Sequence, residues 1–231
     1  MNLQSSRARG ILVPVVIAVI AGLAAIGLAV SGNDNETEPT ATATVTTVEG
    51  ATASPADPMA LGDPNAPVVM VSYSEFQCPF CGRYARETEP ELVDRYVDTG
   101  VLRIEWRDFP YLGEESVVAA RAARAASAQG EFWAFHHRLF ADQPQPNSGR
   151  LTTAFLEGIA AELGLDLEQF RSDMNSAETM SAIEADFDEA LSVGVNGTPA
   201  FMINGEPVFG AQPTSVFVDV IERAAAAVPD P

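Results

Sequence analysis

Cys78 and Cys81 are the only cysteines of this 231-residue chain, and they stand three positions apart in FQCPFCGRY, Phe76 to Tyr84. A pair so spaced admits three chemistries: reversible thiol–disulfide exchange, half of a metal site, or a local covalent staple. A structural disulfide here would close a very short loop. Stabilisation by a cross-link grows with loop length, so the staple is a poor one. Zinc needs about four ligands. The only histidines, His136 and His137, are adjacent on a predicted helix and so project in different directions. Exchange fits best: Cys78 attacks or is attacked as an exposed thiolate, and Cys81 resolves the mixed disulfide.

That chemistry needs elements to hold it. Pro67 to Ser74 (PVVMVSYS) is a short β-branched run that reads as a buried strand. The pair follows at once, which places Cys78 at a helix N-terminus, where unpaired N–H groups and the positive end of the dipole favour a thiolate. Pro79 suits a first helical turn, where a missing N–H costs nothing. Cys81 falls one turn further on, within disulfide reach. Arg83 to Val97 continues as helix, with a kink or break expected at Pro90. After Gly100, Val101 to Phe109 alternates Arg103, Glu105 and Arg107 against Leu102, Ile104 and Trp106, a strand pattern. Strand, helix and strand within about forty-five residues make a βαβ unit.

A helical stretch follows, over about 114–194. Helices are expected at Ser116 to Gln129, Glu131 to Phe140, Thr152 to Leu163 and Ala177 to Val193, with Gly164 and Gly194 as C-terminal caps. His136 shares a face with Phe132, Leu139 and Phe140 and reads as a core histidine. Strand signals return at Ala200 to Ile203, then Asn204-Gly205 as a type I′ turn, then Pro207 to Phe209. An amphipathic helix from Thr214 to Ala227 closes the pattern, burying Phe217, Val220, Ile221 and Ala224.

Ahead of this body, Arg7 and Arg9 precede Ile11 to Val30, an uncharged apolar run of twenty residues. At roughly 1.5 Å per residue it spans about 30 Å, the thickness of a bilayer's hydrocarbon core. It reads as an N-terminal membrane anchor (1–31), and the flanking charges put the body outside the cytoplasm. Residues 32–58 are rich in Thr, Ala, Pro and Glu and read as a disordered tether to a folded domain over 59–231. The net charge of −19, with thirteen arginines and no lysine, excludes nucleic acid as a partner.

SYSEFQCPFCGRY, the later NGTPAFMINGE and the helical insertion between them resemble the DsbA-like branch of the thioredoxin fold superfamily. The resemblance covers about Leu61 to Ala227. It implies an α/β thioredoxin fold with a helical insertion that oxidises thiols of exported proteins through a mixed disulfide at Cys78; joined to the N-terminal anchor, it reads as a single-pass membrane protein with that domain extracytoplasmic. It implies no metal or organic cofactor, reduced or misbridged exported proteins as substrates, and a membrane redox partner for reoxidation. Nothing before Met59 looks like a dimerisation module, so a monomer is expected. Pro199 is expected to be cis and to pack beside the cysteines, with Gly197, Thr198 and Phe80 facing the substrate.

Two positions depart from the family pattern. Phe80 stands where strongly oxidising members often have a histidine that donates to the thiolate. Ser72 stands six residues before Cys78, where thioredoxin-like proteins commonly carry a buried acid; the nearest acid is Glu75, a candidate proton relay to Cys81. The direction of electron flow is therefore open. A reductase or isomerase on the same fold, or a non-catalytic tethered peptide-binding domain, is the alternative.

Overall fold

A computed structural model describes residues 57–228. The expected anchor at 1–31 and the tether up to residue 56 lie outside the described residues. Among the described residues no helix is long and apolar enough to cross a membrane.

Five strands form one sheet in the order β1-β3-β2-β4-β5: β1 Ala60–Leu61, β2 Val68–Ser74, β3 Leu102–Asp108, β4 Ala200–Ile203 and β5 Glu206–Phe209. β2 and β3 run parallel, in register from Val68 opposite Leu102 to Ser74 opposite Asp108, and the other pairings are antiparallel. A parallel pair requires a crossover, and residues 79–97 supply it. β2 is central and covered on both faces, which explains its nearly unbroken apolar run.

The crossover is one continuous helical stretch. It comprises α1 (Pro79–Arg83), a π-turn (Tyr84–Thr88), α2 (Glu89–Leu92) and a second π-turn (Val93–Val97). Pro90 does not break it. A proline cannot donate to the carbonyl four residues back and its ring crowds that carbonyl; the preceding π-turn widens the helix, with Glu89 N–H bonding Tyr84 O.

The insertion comprises α3 (Glu114–Ser127), α4 (Phe132–Ala141), α5 (Thr153–Glu162), α6 (Leu167–Met174) and α7 (Ala177–Ser192), and α8 (Thr214–Ala227) closes the chain. Gly164 and Gly194 have φ of +75° and +83°, the left-handed conformation of the expected caps. Asn204 and Gly205 both have positive φ, as a type I′ turn demands.

Met70, Leu102, Ile104, Tyr84, Phe201 and Phe217 fill the core on one side of the sheet. Further along the same side Trp106 joins Phe76 and the insertion's own apolar core around Phe132, Phe135 and Phe140, while Val71, Tyr73, Ala200 and Met202 pack on the opposite face. The polar positions of β3 are not solvated, as alternation alone suggests, but buried. Arg103 and Arg107 each pair with Glu105, at 2.8 and 3.0 Å, and Arg107 also pairs with Asp57. Arg124 of α3 bridges Asp108 to Asp186 of α7. The insertion closes over this edge, and burial without such pairing would be costly.

Candidate active site

Cys78 is the N-cap of α1, in extended conformation (φ −67°, ψ 117°), and Pro79 begins the first turn. Cys78 Sγ accepts from Cys81 N–H at 3.4 Å, so the sulfur takes the place of a capping oxygen on an otherwise unpaired helical donor. Both cysteines are free thiols. Cys78 is only 2% exposed, against the expectation of an open thiolate: Thr198 O of the facing loop lies 3.4 Å from its sulfur. The Thr198–Pro199 peptide is cis, as expected, and that loop leads straight into β4. The sheet brings together two segments 120 residues apart in sequence.

The two sulfurs differ sharply in acidity. Cys78 is pulled down to about 6, chiefly by the hydrogen bond from the Cys81 thiol, against the opposing effect of burial. The Thr198 side chain and the N–H groups of Cys81 and Phe80 add to the pull. Cys81 is pushed well above the ordinary thiol value, first by complete burial and then by its bond to Cys78 and that sulfur's charge. Cys78 is thus the thiolate and leaving group, and Cys81 the thiol that keeps its proton.

Glu75 is not a solvated loop carboxylate. It is 2% exposed; Oε2 accepts from Gln77 N–H at 3.0 Å and from the Ser116 hydroxyl at 2.5 Å, while Oε1 has no partner. Burial raises its pKa to about 7, with the hydrogen bonds from Ser116 and Gln77 opposing. It acts on Cys78 through charge and makes no hydrogen bond to either sulfur. Ser72, at the position of the missing acid, is a buried member of β2 opposite Trp106 and Phe201.

Phe80 is 56% exposed, with the Arg83 guanidinium 5.3 Å from its ring centroid. Arg83 donates to Ala211 O and Arg86 to Phe140 O, so both cations near the motif are engaged away from the sulfur. Gly197 lies beside Thr198 with open space where a side chain would stand.

Several positioning residues escape a reading of the sequence. Gln143, just past α4, donates to Phe76 O and Cys78 O, both at 2.9 Å, and clamps the turn before α1. Gln77 donates to Ser116, and its Oε1 accepts from Asn147 N–H at 2.6 Å. Phe76 stacks on Trp106 at 5.0 Å and packs on Phe140. Gln77 adjoins the motif and could be suspected. Nothing local marks Ser116 or Gln143, which come from the insertion.

Two sulfurs of such unequal acidity at a helix tip, facing a cis-proline loop, make a centre for thiol–disulfide exchange. A family model described as Thioredoxin matches residues 54–223, and the chain belongs to that family. Within it the chain is a DsbA-like thiol:disulfide oxidoreductase. It is 31% identical over 150 residues to the "Probable disulfide bond formation protein D" of Bacillus anthracis, covering 63% of this chain and 69% of that one. Among solved structures, Wolbachia pipientis alpha-DsbA1 is 26% identical with a TM-score of 0.66, over 73% of this chain and 90% of that one. Oxidised BdbD from Bacillus subtilis shares the fold at a TM-score of 0.71 and 21% identity, over 79% of this chain and all of that one. The chain also matches 22% of the length of a Na(+)/H(+) antiporter NhaA 1 of Salinispora arenicola, at 38% identity over 65% of this chain.

Proposed function

We propose that this protein is an oxidase of exported proteins, held to the membrane by residues 11–30 with its folded domain outside the cytoplasm. The unequal acidity of the two sulfurs carries the reading. A substrate thiolate attacks Cys78 Sγ of the oxidised pair, the Cys78–Cys81 bond breaks, and the electron pair leaves on Cys81, which takes a proton. A second substrate thiolate then attacks the substrate sulfur of the mixed disulfide and expels Cys78 as a thiolate. Two substrate thiols lose two electrons, and the Cys78–Cys81 pair gains them.

A sulfur pulled down to about 6 is a good leaving group, which favours this second step. Cys81 leaves poorly unless protonated. Glu75, holding its proton up to about pH 7, is the nearby store for it and the relay in this scheme. Gly197, Thr198 and the cis Pro199 border Cys78 and offer backbone to an extended substrate segment, while Phe80 offers an apolar face beside it. The pair itself is the electron carrier, and a membrane redox partner returns it to the disulfide.

Trapping tests the scheme. Cys81→Ala in the full-length chain should accumulate mixed disulfides with exported proteins, and Cys78→Ala should form none and lose disulfide transfer. Wild-type activity in the Cys78→Ala variant would refute it.

A further inference from the structure

Away from the sulfurs, α4 carries both histidines of the chain, and they face one carboxylate. His137 Nε2 lies 3.1 Å from Glu89 Oε1, and His136 Nδ1 lies 3.8 Å from the same oxygen. Neighbouring residues on a helix project about 100° apart, which argues from sequence that the two rings cannot share a ligand. Glu89 of α2 removes that objection by lying between them. One carboxylate oxygen and two imidazole nitrogens fall within 4.8 Å of one another. Donors on a tetrahedral zinc ion stand about 3.4 Å apart, given bond lengths of about 2.1 Å. Small side-chain movements would close the set.

A hydrogen bond between Glu89 and His137 accounts for part of this arrangement without a metal. It leaves His136 unexplained. That ring is 1% exposed, its Nδ1 has no hydrogen-bond partner, and it points at Glu89. Buried polar nitrogens are rarely left so. Phe76, Trp106, Trp133 and Phe140 pack around the ring. Glu89 is buried as well, whereas His137 is 53% exposed and opens onto a cavity of about 530 Å³ that leads to solvent. Arg86 and Asp94, of opposite charge, also line that cavity.

We propose that Glu89, His136 and His137 form a site for a divalent transition-metal ion, best matched by zinc, with a further coordination position open to the cavity. Two imidazoles and a carboxylate are ordinary zinc donors. The ion would compensate a buried carboxylate, complete the orphaned His136 nitrogen, and tie the insertion to the helical stretch that begins at Cys78. The strongly negative chain favours its capture. The site stands independently of the direction in which the sulfurs pass electrons.

The test uses the untagged full-length chain with Cys78 and Cys81 oxidised to the disulfide, so that neither thiol can bind metal. Calorimetric titration with zinc chloride should give one ion per chain, and cobalt(II) should give the visible absorption of a tetrahedral site. His137→Ala and Glu89→Gln should each weaken binding by at least about tenfold, since even loss of an outer-sphere partner has effects on that scale. Zinc should raise the melting temperature of the wild-type chain and not of His137→Ala, whose exposed position leaves the core intact. Absence of zinc binding below millimolar concentration, or undiminished binding by His137→Ala, would overturn the proposal.

Discussion

At the residue scale the site is a device for making two chemically identical side chains unequal. One turn of helix separates them, yet Cys78 caps the helix and Cys81 is buried inside it. Glu75 is the third titrating group, and it yields a prediction with a definite sign. Its carboxyl is raised in the folded state from an ordinary 4.5 to about 7. The native state therefore holds a proton that the unfolded state releases. The stability this contributes is complete below pH 4.5 and is lost as pH rises through about 7. Glu75→Gln should consequently gain stability relative to wild type across that window and level off above it, by at most about 3 kcal/mol. Denaturant unfolding at a series of pH values measures this. A difference that does not change with pH would show that Glu75 is not a buried proton store. The cysteines and Glu75 were all legible from type and spacing, but the burial of Glu75 was not. Its setting depends on Ser116, which lies 41 residues away in α3.

At the element scale, α1 is positioned as much by the insertion as by the sheet. Gly82 shows how closely. A methyl group added there would stand 2.0 Å from Gln143 Oε1 and 2.7 Å from Arg86 Nη1. The tip of Gln143 can swing aside at little steric cost, but it then loses its bonds to Phe76 O and Cys78 O. Gly82→Ala is expected to cost about 1–3 kcal/mol, the worth of two hydrogen bonds. Gln143→Ala should cost a similar amount, and the double variant should cost clearly less than the sum. Additive losses would separate the two residues. The periodic elements were legible because each has a face to bury: β2, the alternation of β3, the turn between β4 and β5, and α8. The two missed elements lack that signal. β1 is two residues long, too short for any period. α6 has eight residues and buries only Phe170 and Met174, although Asp166 caps its first turn in the usual way.

At the scale of the whole folded domain, the sheet joins parts that neither local pattern nor composition connects. The loop at Thr198–Pro199 meets Cys78 because β4 pairs with β2, and the insertion supplies Gln143, Ser116 and the apolar wall behind Phe76. Motif spacing signalled the first of these meetings through resemblance; the second appears only in three dimensions. The charged face of β3 belongs to the same lesson. Its alternation is that of a half-solvated strand, but α7 and α3 cover it and turn its charges into a buried network of ion pairs. Phe80, in place of a donor histidine, left the direction of electron flow undecided from sequence. The fold supplies other donors in place of a histidine, the Cys81 thiol and the N–H groups at the helix tip, which together draw Cys78 down to about 6.

The reduction potential of the Cys78–Cys81 pair tests this most directly. Stabilising the thiolate stabilises the reduced form and makes the disulfide a stronger oxidant. Equilibration of the full-length chain with glutathione buffers should give a value nearer about −120 mV than about −270 mV at pH 7. The potential should fall by about 59 mV per pH unit below pH 6, where two protons accompany two electrons, and by about 30 mV per unit above it, where one does. A potential close to that of thioredoxin, with no break in slope near pH 6, would contradict the oxidase reading.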